Sequence, residues 1–472
     1  MVNNREVRIV PLLLCFCLAF ALIMVPSPEG INPKGWYLFA IFVASIFAIV
    51  SKSLPIGSVS ILAIGSTLLT NALTVEEVLS GFSKPTIWLV VIAFFISRGF
   101  IKTGLGIRIA YLFTALIGRN TLGLAYGLVC IDFVMAPVIL SSTARAGGIV
   151  YPILKSLALT YKSYPEENSR KRVGAFLTQT AYQANIITSA MFATAMAANP
   201  LIMNIAEEMG IDISWGSWAL AASLPGIVSL IVVPYFLYKI YPPEVKEALG
   251  VSKTAWENLA EMGKIKRDEW IMCAVFVFLL VLWGGGKQIA NIHITATAFF
   301  ALGILLITGV LTWEDIRNEK GAWDALIWLS TLVTIASFLG KLDVIHWWIA
   351  IMGAYVQQMS WKEAFPVLIV LYFYSHYFFA GNTAHISAMY ASFLGLGIAL
   401  GVPSMLMALT LAFSSSLFAG LTHYGTGPAP IFFESRYVPL SEWWGIGLLV
   451  SFVNLGIWIG VGGLWWKFIG IW

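Results

Sequence analysis

The chain has 472 residues, 59% of them hydrophobic and only 11% charged, against about 25% charged in soluble domains. With a mean hydropathy of +0.84, this composition excludes a soluble globular or disordered chain and marks a single polytopic integral membrane protein. The net charge of +4 says little about partners, because membrane proteins keep Lys and Arg in loops for topological reasons. The bilayer is the expected surrounding, and no nucleic-acid partner is expected.

Taken in chain order, the first apolar run, Ile9–Val25, follows MVNNREVR and has no small-x-small cleavage site. It reads as a retained span, residues 1–34, with no organelle transit segment. Further spans are expected at about 35–51, 55–71, 86–101, 172–206, 216–241, 268–285, 292–311, 323–340, 404–437 and 442–468. That makes an all-α membrane protein of about eleven transmembrane helices. The runs 172–206 and 404–437 are too long for one straight helix and are interrupted by polar residues, Gly or Pro. The segments 121–160 and 362–400 are interrupted at mid-length and read as re-entrant hairpins, while 103–118 and 342–358 carry charges and look interfacial. Residues 242–267, with charges of both signs, read as a cytoplasmic linker between a first repeat, 35–241, and a second, 268–472. Cys15, Cys17, Cys130 and Cys273 all lie in apolar runs without zinc-site spacing, so neither a metal site nor a disulfide framework is indicated.

With a cytoplasmic N-terminus and hairpins that do not cross, about 20 of the 28 Lys and Arg fall on the cytoplasmic side and about six opposite. Arg98 and Arg145 are left at membrane depth. Asp132 and Arg98 are expected to form a structural ion pair without a substrate role. His293, His346 and His376 read as interfacial or structural.

The two halves resemble each other at an offset of 240 residues: Ile87-Trp88-Leu89 matches Ile327-Trp328-Leu329, and Thr143-Ala144 matches Thr383-Ala384. Ser141-Ser142-Thr143-Ala144-Arg145 therefore lies over Gly381-Asn382-Thr383-Ala384-His385 without a gap. Each motif interrupts a hairpin, and each hairpin precedes a broken span. This is the inverted-repeat pattern of secondary transporters.

Backbone departs from helix at membrane depth only where it is covered by protein or lines a wet cavity. The two motifs are then hairpin tips. Free N–H groups at the start of a helix attract an anion, and hydroxyls and an asparagine amide hydrogen-bond carboxylate oxygens. The candidate binding residues are Ser141, Ser142 and Thr143 on the first tip and Gly381, Asn382 and Thr383 on the second. Asn185, Thr188 and Ser189 are expected in the break of 172–206, and Thr426, with its neighbours Thr422–Pro428, in the break of 404–437. A lone Ser or Thr in a membrane helix more often bonds its own backbone or a neighbouring helix; what favours binding is that the clusters are related by the repeat. Burying an arginine costs ~2.5–3.5 kcal/mol on insertion scales, so Arg145 is a functional candidate, with snorkelling as the bland alternative. His385 is its repeat equivalent.

At these residues the chain resembles the divalent anion/sodium symporter family of the INDY type, whose Ser-Asn-Thr signature occupies the tips of two opposed hairpins. Both copies here depart from it, as Ser141-Ser142-Thr143 and Gly381-Asn382-Thr383. The resemblance covers essentially the whole layout. It implies a dimeric elevator-type carrier of C4 to C6 carboxylates such as succinate, malate, fumarate, 2-oxoglutarate, tartrate or citrate in the bacterial inner membrane, with the tips contacting carboxylates. A basic residue after the signature, as in SSTAR, is similar to the exchanger branch of bacterial citrate/succinate antiporters and the plastid 2-oxoglutarate/malate translocator. Sodium ions can accompany a dianion and leave; a fixed arginine cannot. Arg145, and His385 when protonated, are thus expected to compensate charge in place of sodium. Unloaded, they would cross the apolar barrier uncompensated, so obligate sodium-independent antiport without a cofactor is expected.

Sodium-coupled symport on the same fold is the alternative, with sodium ions held by Thr143, Thr383, glycines and loop carbonyls. An intramembrane enzyme would need paired acids, a metal cluster or a nucleophile with its base, and the tips offer none. Nor does any repeated pore-lining ring suggest a channel.

Overall fold

The computed structural model describes residues 8–28, 30–165, 168–247, 250–290, 293–345, 347, 351, 360–379 and 381–472. Most of the expected arm at 342–358, including His346, lies outside the described residues. Among those described there is no strand, only one isolated bridge between Asn120 and Glu247. Six helices among them are long and apolar enough to cross a membrane: Pro33–Val50, Pro85–Thr103, Trp215–Ile240, Lys320–Lys341, Ser404–Leu421 and Leu440–Phe468. Three other expected spans are shorter. Ile9–Met24 has 16 residues, and Ile56–Leu69 and Ile294–Ile307 have 14 each. Fourteen residues rise only about 21 Å, less than a hydrocarbon core of ~30 Å, so flanking residues or local thinning must complete the crossing.

Local sequence sets many of the helix starts. Asn32 accepts from the Lys34 N–H ahead of a helix that opens on Pro33, the proline occupying a place where a missing N–H costs nothing. Asn120 caps the first hairpin through the Gly123 N–H. Thr74 with Glu77, Thr312 with Asp315 and Ser360 with Glu363 form reciprocal capping boxes. The expected arm at 103–118 is the helix Leu105–Ile117, tied to Arg267–Ala290 by an Arg108–Glu269 ion pair of 2.6 Å. The segment read as a linker holds a helix, Val251–Glu261, that docks on this arm through Ser252 Oγ donating to the Ala115 carbonyl (2.6 Å).

Each half contains a hairpin followed by a broken helix. The first hairpin runs down Thr121–Met135 and back along 142–160; the second runs down Trp361–Tyr374 and back along 382–399. Gly174–Met191 and Ser404–Leu421 stand at the centre. Every residue of the first is buried, as is every residue of 406–417. The second break falls where expected, between Leu421 and Pro428. The first does not. Helix continues through Asn185, Thr188 and Ser189 and ends at Met191; Phe192 turns extended, and helix resumes at Asn199. The reason is local: the polar side chains at 185–189 are satisfied by Asp132, Ser142 and Arg145, so they leave the helical backbone intact. Pro200 in the first turn of Asn199–Glu208 marks the true restart, as Pro428 does in the second half.

Candidate functional site

The two return helices begin in the same register at the offset of 240. Ser142–Arg145 passes into a π-turn, Ala146–Val150, and Asn382–His385 passes into another, Ile386–Tyr390. Such π-turns are rare and concentrate at functional sites. Their starts differ in one detail. Ser141 caps the first, its Oγ accepting from the Ala144 N–H (3.1 Å). Gly381 takes φ +144 at the second, a conformation in which a serine would be strained.

Both starts open onto one cavity of about 330 Å³. Ser141, Ser142, Thr143, Gly381, Asn382, Thr383 and Thr426 all line it, with Met196–Ala198 of the first break and Gly427 of the second. Asn199–Glu208 starts directly after Ala198, and the short Pro428–Phe433 directly after Gly427. Helix N-termini therefore converge here from both tips and both breaks, each carrying roughly half a positive charge. Packing is close: a Cβ on Gly427 would stand 2.3 Å from Thr143 Oγ1. Asn382 is held by Nδ2 donating to the Ser415 carbonyl (2.7 Å). The remaining wall is apolar, formed by Ile49, Ile56 and Phe94.

Asn185, Thr188, Ser189, Arg145 and His385 do not line the cavity; they stand behind the tips. Arg145 is fully buried. Its Nη1 donates to the carbonyls of Ile139 and Ala195 (2.6 Å each), Nη2 to Ser189 Oγ (3.0 Å) and Nε to Asp132 Oδ1 (3.2 Å). The guanidinium sits in a cage of oxygens. Asp132 is thus the partner of Arg145, not of Arg98. The hairpin folds back between Met135 and Ser142 and returns Arg145 beside Asp132, whereas Arg98 is exposed on Pro85–Thr103 and acts on Glu319. This pairing removes the premise that an unloaded carrier moves an uncompensated arginine.

His385 has a different setting. Its Nε2 lies 2.8 Å from Ser375 Oγ, and the rings of Tyr372, Phe379 and Phe418 surround it at centroid distances of 4.6, 4.7 and 4.5 Å. His376, expected to be structural, is buried beside it at 5.4 Å and donates from Nε2 to the Gly425 carbonyl (3.0 Å). His293 caps the start of Ile294–Ile307, accepting from the Thr295 N–H at Nδ1 (3.2 Å).

Sequence reasoning missed the wall residues Ile49, Ile56 and Phe94, which carry no signal in so apolar a chain. It also missed Met196–Ala198, for which the Asn199-Pro200 pair was the available sign.

Residues 6–472 match the family model described as the sodium:sulfate symporter transmembrane region. The putative malate transporter YflS of Bacillus subtilis (strain 168) is 52% identical over 100% of this chain and 98% of its own. The chloroplastic dicarboxylate transporter 1 of Arabidopsis thaliana is 46% identical over 98% and 83%, and the citrate/succinate antiporter of Escherichia coli (strain K12) 32% over 95% of each. Among solved structures, the Alcanivorax borkumensis YdaH transporter covers 98% of this chain and 97% of its own with a TM-score of 0.56 at 11% identity, a likeness of fold. The chain belongs to the sodium:sulfate symporter family, a family of membrane transporters and not of enzymes.

Proposed function

We propose that this protein exchanges dicarboxylates across a bacterial inner membrane without sodium. The observation that carries the reading is the Arg145 guanidinium in its oxygen cage. In the sodium-coupled members that the chain resembles, tips and facing loops hold sodium ions. Here a covalently attached cation already ties the first tip to the first break through Ile139, Ala195 and Ser189. The tip is organised before substrate arrives, and no mobile ion is needed to organise it.

Substrate charge is then met by helix starts and hydrogen-bond donors. One carboxylate is bound at Ser142 and Thr143, the other at Asn382 and Thr383, with Thr426 beside them. A cavity of about 330 Å³ suits C4 and C5 dicarboxylates such as succinate, malate, fumarate and 2-oxoglutarate, with tartrate and citrate at the large end. Because Asp132 offsets Arg145, obligate exchange now rests on relatives, above all the one named a citrate/succinate antiporter. The wall of Ile49, Ile56 and Phe94 belongs to other helices than the tips, as an elevator requires: the tips and broken helices travel, and the wall stays. The N-terminus is cytoplasmic by the bias of basic residues, and the family resemblance makes the protein a homodimer.

Ser142→Ala and Asn382→Ala test the site. Each removes a hydrogen bond to a charged oxygen, about 1.5–3 kcal/mol, and should raise the succinate KM of exchange by roughly tenfold or more. An unchanged KM in both would remove the tips from the site.

A further inference from the structure

Asp132 does not line the cavity, yet it touches most of what holds the first tip. It is 1% exposed. Its carboxylate accepts from Arg145 Nε (3.2 Å), Asn185 Nδ2 (2.9 Å) and the Thr188 hydroxyl. Asn185 Nδ2 also donates to the carbonyl of Ser142 (3.4 Å), a residue of the cavity wall. One carboxylate thus joins Thr121–Met135, Gly174–Met191 and the tip itself.

A lone guanidinium here would hold an incoming dianion by an attraction that solvent does not screen, and tight holding slows release. Asp132 cancels that charge. It leaves the other guanidinium donors free to hold Ile139, Ala195 and Ser189 in place. The second tip shows that such a carboxylate is no requirement of the hairpin fold. The position 240 residues after Asp132 is Tyr372, whose hydroxyl lies 2.7 Å from Ser415 Oγ and whose ring packs on His385. Asp132 accompanies the arginine, not the hairpin.

We propose that Asp132 is a positioning residue that neutralises Arg145 and thereby sets how tightly the first tip holds a dianion and how fast it lets go. The proposal rests on the dicarboxylate-exchange reading above. The test is exchange of labelled succinate for internal malate in proteoliposomes by the wild type, Asp132→Asn and the double variant Asp132→Asn/Arg145→Gln. Asp132→Asn should lower the succinate KM by about fivefold or more and Vmax by about tenfold or more. In the double variant that decrease in KM should disappear, with KM at or above the wild-type value, while Vmax stays low because the cage around Ile139, Ala195 and Ser189 is lost. A merely structural role would not move the two constants down together. A KM in Asp132→Asn that is unchanged or raised overturns the proposal. If Asp132→Asn does not fold, the double variant decides by its folding alone: recovery of folded protein when the counter-charge is removed as well supports the pairing, and a double variant that is also unfolded overturns it. A wild type that does not exchange succinate instead defeats the functional reading on which the proposal stands.

Discussion

The first and second tips begin their return helices in the same register, each running into a π-turn, and are held from behind by opposite chemistry. Behind the first lies a fully buried ion pair, Arg145 with Asp132, whose remaining donors are taken up by carbonyls and hydroxyls. Behind the second lies an imidazole among three aromatic rings, with one hydroxyl contact. Burying an ion pair stabilises a site only when its other hydrogen-bonding groups are also satisfied, and at Arg145 every guanidinium nitrogen has an oxygen partner. The contrast indicates that the two halves share the register of a helix start and its π-turn, while the means of securing it differ.

Breaking the first tip should have the largest effect. Arg145→Ala leaves Asp132 buried without its counter-ion and two carbonyls without donors, a cost of about 3–5 kcal/mol. Succinate exchange should fall by at least about a hundredfold, measured as initial rate per total reconstituted protein. A loss under about tenfold would make the cage incidental.

Making the second tip more like the first should cost less. Gly381→Ser restores the residue type of Ser141 but at φ +144, with strain of about 1–3 kcal/mol. Thermal unfolding in detergent should shift down by a few degrees, and a variant as stable as wild type would mean that the tip relaxes to the capped form of the first. His385→Gln should be milder again. It forfeits ring contacts worth about 0.5–1.5 kcal/mol and no ion pair, so exchange should drop by about tenfold or less and stay indifferent to sodium. A loss matching that of Arg145→Ala would erase the asymmetry.

The smallest effect is expected where charge meets solvent. Lys102 and Asp315 pair at 2.5 Å outside the tips. Burial pushes the Asp315 carboxyl up, but hydrogen bonds from Lys102 and Thr312 outweigh it and bring it from 3.8 to about 2. A carboxyl lowered on folding adds stability above its unfolded pKa, and that stability is lost as pH falls through the folded value. Asp315→Asn should therefore lower the melting temperature slightly at pH 7, by an amount that persists to about pH 4 and closes toward about pH 2. A gap independent of pH across that window would assign the loss to capping alone.

Much of this arrangement was legible in the sequence because it is written in backbone breakers. SSTARAGG, GNTAH and THYGTGP interrupt apolar runs, and helix interruption at membrane depth has few causes. The offset between Thr143 and Thr383 carried the second tip from the first, and the structure places all the tip candidates on one cavity. The first break was misplaced because Asn185, Thr188 and Ser189 look like breakers yet spend their polar groups on Asp132, Ser142 and Arg145. The partner of Asp132 could not be read, since the turn that brings Arg145 back beside it is a matter of geometry and not of spacing. Ile49, Ile56 and Phe94 were invisible for a plainer reason: in a chain that is 59% hydrophobic, an apolar wall has no contrast.

The central claim is that Arg145, its charge offset by Asp132, organises the first tip so that no mobile cation is needed there. Its most direct test is uptake of labelled succinate into proteoliposomes with and without internal dicarboxylate, each in sodium and in choline buffer. The account predicts uptake that requires internal dicarboxylate and proceeds at the same rate in both buffers. Uptake into empty vesicles driven by an inward sodium gradient would contradict it.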